Sequence, residues 1–305
     1  MKHRLDVLFI LPFFLVSCGI RLNTHNPAPD TLTPQLGVTD SPPLPTATVL
    51  PTSTPLPDFG MLLSAVFLKD DQFLDVYPEA GVKSTPVAQF APQTMGINAT
   101  GKRQFIDEKI WLEINLPQGG SGWVDGDFIT PTIQTTEFCN DHDLNLAFSG
   151  MLNSIKSRDE IAFVNFISPI HGLHIKYLWQ NPEVKVDVAE NFSNLFTENK
   201  SYDWGSDQSI NQSVQGSFSS IILPALDPVL EDSTTLCNAL DQGIAADWTS
   251  GFIEWPSEYL NLNYLTLYKP ATEENALNWR TWAFGLEKIN HQYYLTVLVQ
   301  YKWDY

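Results

Sequence analysis

A proline- and threonine-rich segment at residues 23–58 limits what the chain can fold into more than any other part of the sequence. It holds nine prolines and eight threonines in 36 positions, and it contains no lysine or arginine. Proline fixes φ and lacks a backbone N–H, and a segment so poor in large apolar residues cannot bury a core. Such a composition is typical of an extended, disordered linker. We therefore expect the globular part of this 305-residue chain to begin near Phe59.

The residues that precede the linker have the order of an export signal. Lys2 and Arg4 supply a basic start, and Val7 to Val16 is a run of ten non-polar residues. Ten residues are too few to span a bilayer as a helix. The run closes on Leu15-Val16-Ser17-Cys18, which resembles the lipobox of bacterial lipoproteins.

The lipobox resemblance implies a signal peptide at 1–17 and a lipid chain on the thiol of Cys18. Residues 18–58 would then be a linker between the lipid bilayer and the globular part. An ordinary signal peptide, in which Cys18 is incidental, is the alternative interpretation. On the lipobox interpretation the protein is attached to the cell membrane on its extracytoplasmic side, with the bilayer as a partner.

The charge of the chain excludes one class of partner. Lysine and arginine together number 17 against 35 aspartates and glutamates, and the net charge is −18 at pH 7. Binding to a phosphate backbone depends on clustered lysine and arginine, so nucleic acid is excluded as a main partner. The sequence holds no His-x-x-x-His or Cys-x-x-Cys pair that would indicate zinc. We predict no metal site and no cofactor.

Two cysteines remain besides Cys18, and both lie in the globular part. Cys139 and Cys237 are free to form a disulfide if the chain is exported, because disulfides persist outside the cytoplasm. Two separate buried thiols are the alternative. The sequence leaves both interpretations open.

Short β segments separated by turns fill residues 59–131. Leu74-Asp75-Val76 opens the pattern, Trp111 lies in an alternating strand, and Gly122-Trp123-Val124 closes it. This order resembles bacterial Src-homology-3-like domains, and the resemblance implies a small β-barrel at 59–131. Domains of that family bind peptidoglycan or peptide, or only separate other domains.

Three aromatic residues are the binding candidates in this region. The resemblance implies that Tyr77, Trp111 and Trp123 line an aromatic groove, since stacked rings hold flexible ligands in such domains. The alternative is that Trp111 and Trp123 fill the core, because each lies in an alternating strand. We favour the core for the two tryptophans.

The spacing of apolar residues in 139–305 differs from that in 59–131 and predicts an α+β domain. Apolar residues recur at helical spacing between Leu144 and Ile155, whereas 262–268, 279–286 and 293–303 alternate as strands. The alternation in 293–303 predicts a half-buried strand with one apolar face. We expect helices first and an antiparallel sheet last, so the whole chain is an α+β multidomain protein.

A Cys/His pair is the main catalytic candidate in the last domain. His171 and Cys237 are ordered as in some cell-wall transpeptidases, but the Ser and Gly around the catalytic cysteine are missing here. A thiol becomes reactive only beside a base or a cation. Glu254 and Glu258 are spaced as a glycosidase pair could be, yet an acidic chain produces such pairs by chance.

These observations predict a membrane-anchored extracytoplasmic lipoprotein. We expect it to bind a ligand or to act as a spacer at the cell envelope, and not to be an enzyme. The expected partner is peptidoglycan or a peptide at the cell envelope. The alternative is a wall-modifying enzyme with His171 and Cys237 in its site.

Overall fold

The computed structural model describes residues 56–186, 194–197, 200–207, 212–240 and 253–303. The signal peptide, Cys18 and the linker up to residue 55, all inferred from sequence, lie outside the described residues. Within the described ranges no helix is both long enough and apolar enough to cross a bilayer. The fold is α+β, with more sheet than helix.

Seven short strands build residues 59–131, here termed the N-terminal module. Five of them form one antiparallel sheet in the order β6-β5-β4-β1-β7, so β1 lies in its interior, and β2 pairs with β3 separately. The strands are β1 Leu62–Ala65, β2 Leu74–Val76, β3 Ala88–Phe90, β4 Ile97–Ile106, β5 Lys109–Asn115, β6 Ser121–Asp125 and β7 Ile129–Pro131.

Tight turns connect the central strands of this module. β4 and β5 are joined by Asp107 and Glu108, which both have positive φ, as a two-residue hairpin turn requires. Gly119 and Gly120 adopt φ of +96° and +85° between β5 and β6. Glycine takes these angles without steric cost, which explains why the sequence places glycines there.

The sheet of the N-terminal module does not close into the expected barrel. β6 and β7 remain its two edges among the described residues. The backbones of Tyr77 and Trp123 exchange hydrogen bonds of 2.7 and 2.8 Å, and this bridge attaches the β2–β3 pair to β6. Closure needs the edge strands to pair with each other, but β7 spans three residues and pairs with β1.

Residues 135–303, here termed the C-terminal module, contain four α-helices and eight strands in the described ranges. A π-helical turn at Phe218–Ile222 leads directly into α4. The helices are α1 Thr135–Asn140, α2 His142–Ser157, α3 Glu160–Val164 and α4 Leu223–Glu231. The strands are β8 Leu173–Lys176, β9 Val184–Val186, β10 Tyr202–Asp207, β11 Gln212–Gly216, β12 Thr234–Cys237, β13 Asn263–Lys269, β14 Arg280–Ile289 and β15 Gln292–Lys302.

Six of these strands form a mixed sheet in the order β12-β13-β14-β15-β8-β9. β8 runs parallel to β15, with His174 opposite Val297, and the other pairs are antiparallel. The element order therefore differs from the expected helices followed by an antiparallel sheet, because α4 comes after four strands. A parallel neighbour distant in sequence leaves no local signal.

A β-bulge in β15 changes which residues share a face. Leu295 lies opposite Leu286 and Val297 lies opposite Gly285, so Thr296 is an extra residue. Leu295 then packs in the cluster under the helices, whereas Val297 packs in the cluster on the opposite face. The expectation of one shared apolar face in 293–303 was wrong, because one inserted residue reverses the alternation.

Both faces of the six-stranded sheet are covered. Helices α2 and α4 pack on one face, and Trp255, Tyr259 and Leu262 from the segment before β13 pack on the other. Val66 of the N-terminal module belongs to this second cluster. The two modules therefore share a hydrophobic contact within one compact unit, Ser53–Tyr305.

Asp141 connects the start of α2 to the β14–β15 hairpin. Its carboxylate accepts hydrogen bonds from Lys288 Nζ at 2.6 Å, Tyr293 OH at 2.8 Å and the Asp143 backbone N–H at 2.9 Å. Lys288 lowers the pKa of Asp141 most and burial opposes it, but Tyr293 and the backbone donor bring the pKa to about 2. The ionised form is therefore the one that the fold stabilises.

We expect the variant Asp141→Asn to lose stability in a pH-dependent way. A folded-state pKa below the ordinary 3.8 means that Asp141 contributes fully above pH 3.8 and less as pH falls towards 2. Hydrogen bonds to a charged group stabilise by about 1.5 to 3 kcal/mol, so a loss of that order is expected at pH 7. Urea unfolding at pH 7 and pH 2.5 measures it. Parallel losses at both pH values would contradict this role.

Candidate functional site

A cleft of about 350 Å³ lies on the N-terminal module beside β2. Three of its ten lining residues are aromatic, two are acidic and one is basic. The lining residues are Leu68, Gln72, Phe73, Leu74, Asp75, Tyr77, Lys83, Gln89, Asp125 and Phe128. Its size falls in the range of small-ligand sites.

Tyr77 reaches this cleft because the chain leaves β2 at Val76 and pairs with Trp123. The Tyr77 ring stands edge-on to the ring of Trp111, with centroids 5.9 Å apart. Trp111 and Trp123 are 2% and 9% exposed and do not line the cleft. Of the three aromatic candidates, the structure places Tyr77 at the cleft and the two tryptophans in the interior.

The two aspartates of the cleft differ in their partners. Asp125 accepts from Lys109 Nζ at 2.9 Å, whereas Asp75 accepts from the hydroxyl of Tyr77 at 3.2 Å and Nε2 of Gln89 at 2.7 Å. No lysine or arginine of the described ranges forms an ion pair with Asp75. Burial and the Asp75 carboxylate both raise the pKa of Tyr77, so its hydroxyl stays protonated and continues to donate to Asp75. Asp75 therefore has hydrogen-bond partners but no ion-pair partner among the described residues, and Lys83 also lines the cleft.

A second polar cluster lies where the two modules meet, and it begins at His171. The ring of His171 is 2% exposed, and its Nδ1 lies 2.9 Å from Glu287 Oε1 and its Nε2 3.2 Å from the carbonyl oxygen of Gly126. Both partners are hydrogen-bond acceptors. Burial raises the pKa of Glu287, but His171 and hydrogen bonds outweigh burial and lower it overall. The His171–Glu287 pair is buried and also touches the N-terminal module.

His174, three residues further along the chain in β8, repeats this pattern. Its Nδ1 lies 2.6 Å from Glu183 Oε1, and its Nε2 lies 3.0 Å from the carbonyl oxygen of His171. The hydroxyl of Tyr259 donates to the other oxygen of Glu183. Phe67 packs against both imidazoles, at centroid distances of 4.9 Å to His171 and 4.5 Å to His174. Phe67 has φ of +58°, a conformation that side chains other than glycine rarely adopt, so its neighbours must hold it in place.

The structure does not bring His171 and Cys237 together. Cys237 is bonded to Cys139, with the two Cα atoms 5.8 Å apart. The hydrogen bonds of His171 go to Glu287 and Gly126. A thiolate nucleophile activated by His171 is therefore not present in this arrangement.

Sequence reasoning missed Asp75 and Glu183. Asp75 had a local signal. Side chains alternate between the two faces of a strand, so when Leu74 and Val76 face the core, Asp75 between them faces away from it. Glu183 had none, since its contact with His174 depends on the β8–β9 hairpin.

Comparisons of the chain with protein-family models, with curated proteins and with solved structures found no match.

Proposed function

We propose that this chain is a lipid-anchored extracytoplasmic protein that binds an amine-bearing peptide of the cell envelope and catalyses no reaction. The observation that carries the proposal is the cleft at Tyr77. Three aromatic side chains and a carboxylate without a cationic partner line it. Rings hold the apolar part of a flexible peptide, and Asp75 would accept from its ammonium group.

The proposed location is supported by two features of the chain. The Leu15-Val16-Ser17-Cys18 sequence resembles a lipobox, and Cys18 would carry the lipid. The Cys139–Cys237 bond is of a kind that persists outside the reducing cytoplasm. A net charge of −18 opposes electrostatic attachment to anionic headgroups, so the lipid would supply the attachment.

Assignment of the N-terminal module to the Src-homology-3-like family is part of this proposal. The short antiparallel strands and the Tyr77–Trp123 bridge support it. In this chain the sheet is open, and the cleft lies beside the β2–β3 pair. The larger module would act as a platform that holds the cleft in place.

Binding through Asp75 is tested with isolated cell wall. We expect Asp75→Asn to weaken co-sedimentation about tenfold, since a charge-assisted hydrogen bond of about 1.5 kcal/mol is lost. The matched control is Asp232→Asn, which removes the same charge from an exposed position outside the cleft. Acetylation of the free amines of the wall should weaken binding of the unmodified chain by a similar factor. Equal binding by both variants and the unmodified chain would contradict the proposal.

Attachment through Cys18 has its own test. We expect Cys18→Ala to move the chain from the membrane fraction to the soluble fraction, because two or more acyl chains are needed for stable anchoring and the variant carries none. Fractionation followed by immunoblotting measures the change. Ser17→Ala serves as the control, because it keeps a small residue before the cleavage point. A Cys18→Ala chain that stays in the membrane fraction would contradict lipid anchoring.

A further inference from the structure

A second and larger cleft lies at the junction of the two modules. It encloses about 590 Å³, and both modules contribute to its wall. Lining it are Phe67 and Lys69 of the N-terminal module, and Lys176, Gln180, Asn181, Pro182, Glu183 and Glu258 of the C-terminal module. None of these residues lines the cleft at Tyr77.

The wall of this junction cleft is fixed by contacts on both sides. The Phe67 backbone N–H donates to the carbonyl oxygen of Glu258 at 2.8 Å, which ties the two modules together at the rim. Asn261 Nδ2 donates to the carbonyl oxygen of Ala65 at 2.7 Å. A ligand would therefore meet a preformed site, which reduces the entropic cost of binding.

Three of the four charged side chains that line the junction cleft have partners within the protein, whereas Lys69 forms no ion pair among the described residues. Lys176 Nζ lies 2.7 Å from Glu258 Oε1, and His174 Nδ1 lies 2.6 Å from Glu183 Oε1. In a chain with twice as many acidic as basic residues, this cleft contains two lysines and two glutamates. Because the charges balance, the cleft does not call for an ionic ligand.

The paired groups still offer hydrogen bonds to a ligand. The side chain of Glu183 is 31% exposed. Burial raises the pKa of Glu183, but the contacts with His174 and Tyr259 outweigh burial and lower the pKa overall, so the carboxylate is ionised at neutral pH. A carboxylate has about four acceptor sites, and His174 and Tyr259 occupy two of them. Lys69 and Gln180 are exposed at the rim and add N–H donors. Phe67 and Pro182 supply apolar surface.

From this combination we infer that the junction cleft binds a neutral oligosaccharide. A sugar presents hydroxyl groups around its edge and C–H groups on its faces. The edge would bond to Glu183, Lys69 and Gln180, and a face would pack on Phe67. The site is separate from the proposed peptide cleft, and neither proposal depends on the other.

The test uses the full chain and isothermal titration calorimetry with two uncharged probes, chitotetraose and cellotetraose. We expect at least one probe to bind. We expect the double variant Lys69→Ala/Gln180→Ala to bind that probe about five- to tenfold more weakly, since two rim hydrogen bonds are lost. Both side chains are exposed, so folding should not change, and an unchanged thermal unfolding midpoint checks this.

The control variant is Tyr77→Ala, which alters the other cleft and should bind the sugar with unchanged affinity. Absence of heat for both probes up to millimolar concentration would overturn the inference. Equal affinity in the double variant and the unmodified chain would overturn it as well. A loss in Tyr77→Ala with no loss in the double variant would move sugar binding to the peptide cleft and would also count against the junction site.

Discussion

Replacement of Glu287 by alanine is expected to lower the free energy of unfolding by about 3 to 5 kcal/mol, the usual cost of removing one partner of a buried charge pair. Glu287 is fully buried and bonds to His171 at 2.9 Å, and Thr130 of the N-terminal module donates to it at 3.3 Å. Without the carboxylate, the His171 ring keeps an unpaired donor in a site that excludes water. Denaturant unfolding at pH 7 measures the loss.

A double variant tests whether His171 and Glu287 stabilise the fold as a pair. His171→Leu/Glu287→Leu leaves no unpaired charge, so it should be clearly less destabilised than the sum of the two single leucine variants. Additive losses would mean that His171 and Glu287 act independently. Because the folded-state pKa of Glu287 lies below its ordinary value, the stability from this carboxylate is present above about pH 4.5 and declines at lower pH. The Glu287→Ala variant should lack that decline.

Loss of the Cys139–Cys237 bond is expected to be of similar size. The two residues are 98 positions apart, and the chain-entropy model gives about 4 to 5 kcal/mol for a loop of this length. The bond joins the end of α1 to β12. β12 is an edge strand, and in the sheet it pairs with β13 on one side. We therefore expect a large fall in the thermal unfolding midpoint when a reductant is present.

The variant Cys139→Ser/Cys237→Ser distinguishes the bond from side effects of the reductant. It should unfold at the midpoint of the reduced chain, and its midpoint should not change when reductant is added. A midpoint equal to that of the oxidised chain would show that the bond contributes nothing to stability. Mass spectrometry of the two tryptic peptides checks that the bond is present at the start.

The local sequence pattern predicted the positions of the strands better than it predicted which strands pair with each other. The Leu74–Val76 strand, the alternation near Trp111 and the hairpin before β15 lie where two-residue periodicity indicates. Asn290 and His291 form its turn with positive φ. The parallel pairing of β8 with β15 and the open edge of the N-terminal sheet depend on residues far apart in sequence, and no window of the sequence contains both partners.

The candidate sites show the same limit. Tyr77 could be selected because the sequence around it resembles a family motif, and Asp75 had a local period that was not used. His171 was noticed for a catalytic role, but its ring bonds to Glu287, which is 116 residues away, and not to a cysteine. Glu183, Phe67 and Lys69 meet only through the contact between the two modules, so the junction cleft could not be read from the sequence.

The position of β1 bears on how the fold would respond to mechanical load. β1 is the first strand of the described residues, and it is paired on both sides, with β4 and with β7. A pull applied to the chain before Leu62 and directed along β1 would load its hydrogen bonds to both neighbours in shear, so that they must break together. The last strand, β15, is likewise held between β14 and β8. Each end of the described fold is thus an interior strand, and tension applied at either terminus meets a sheet rather than an edge that could peel.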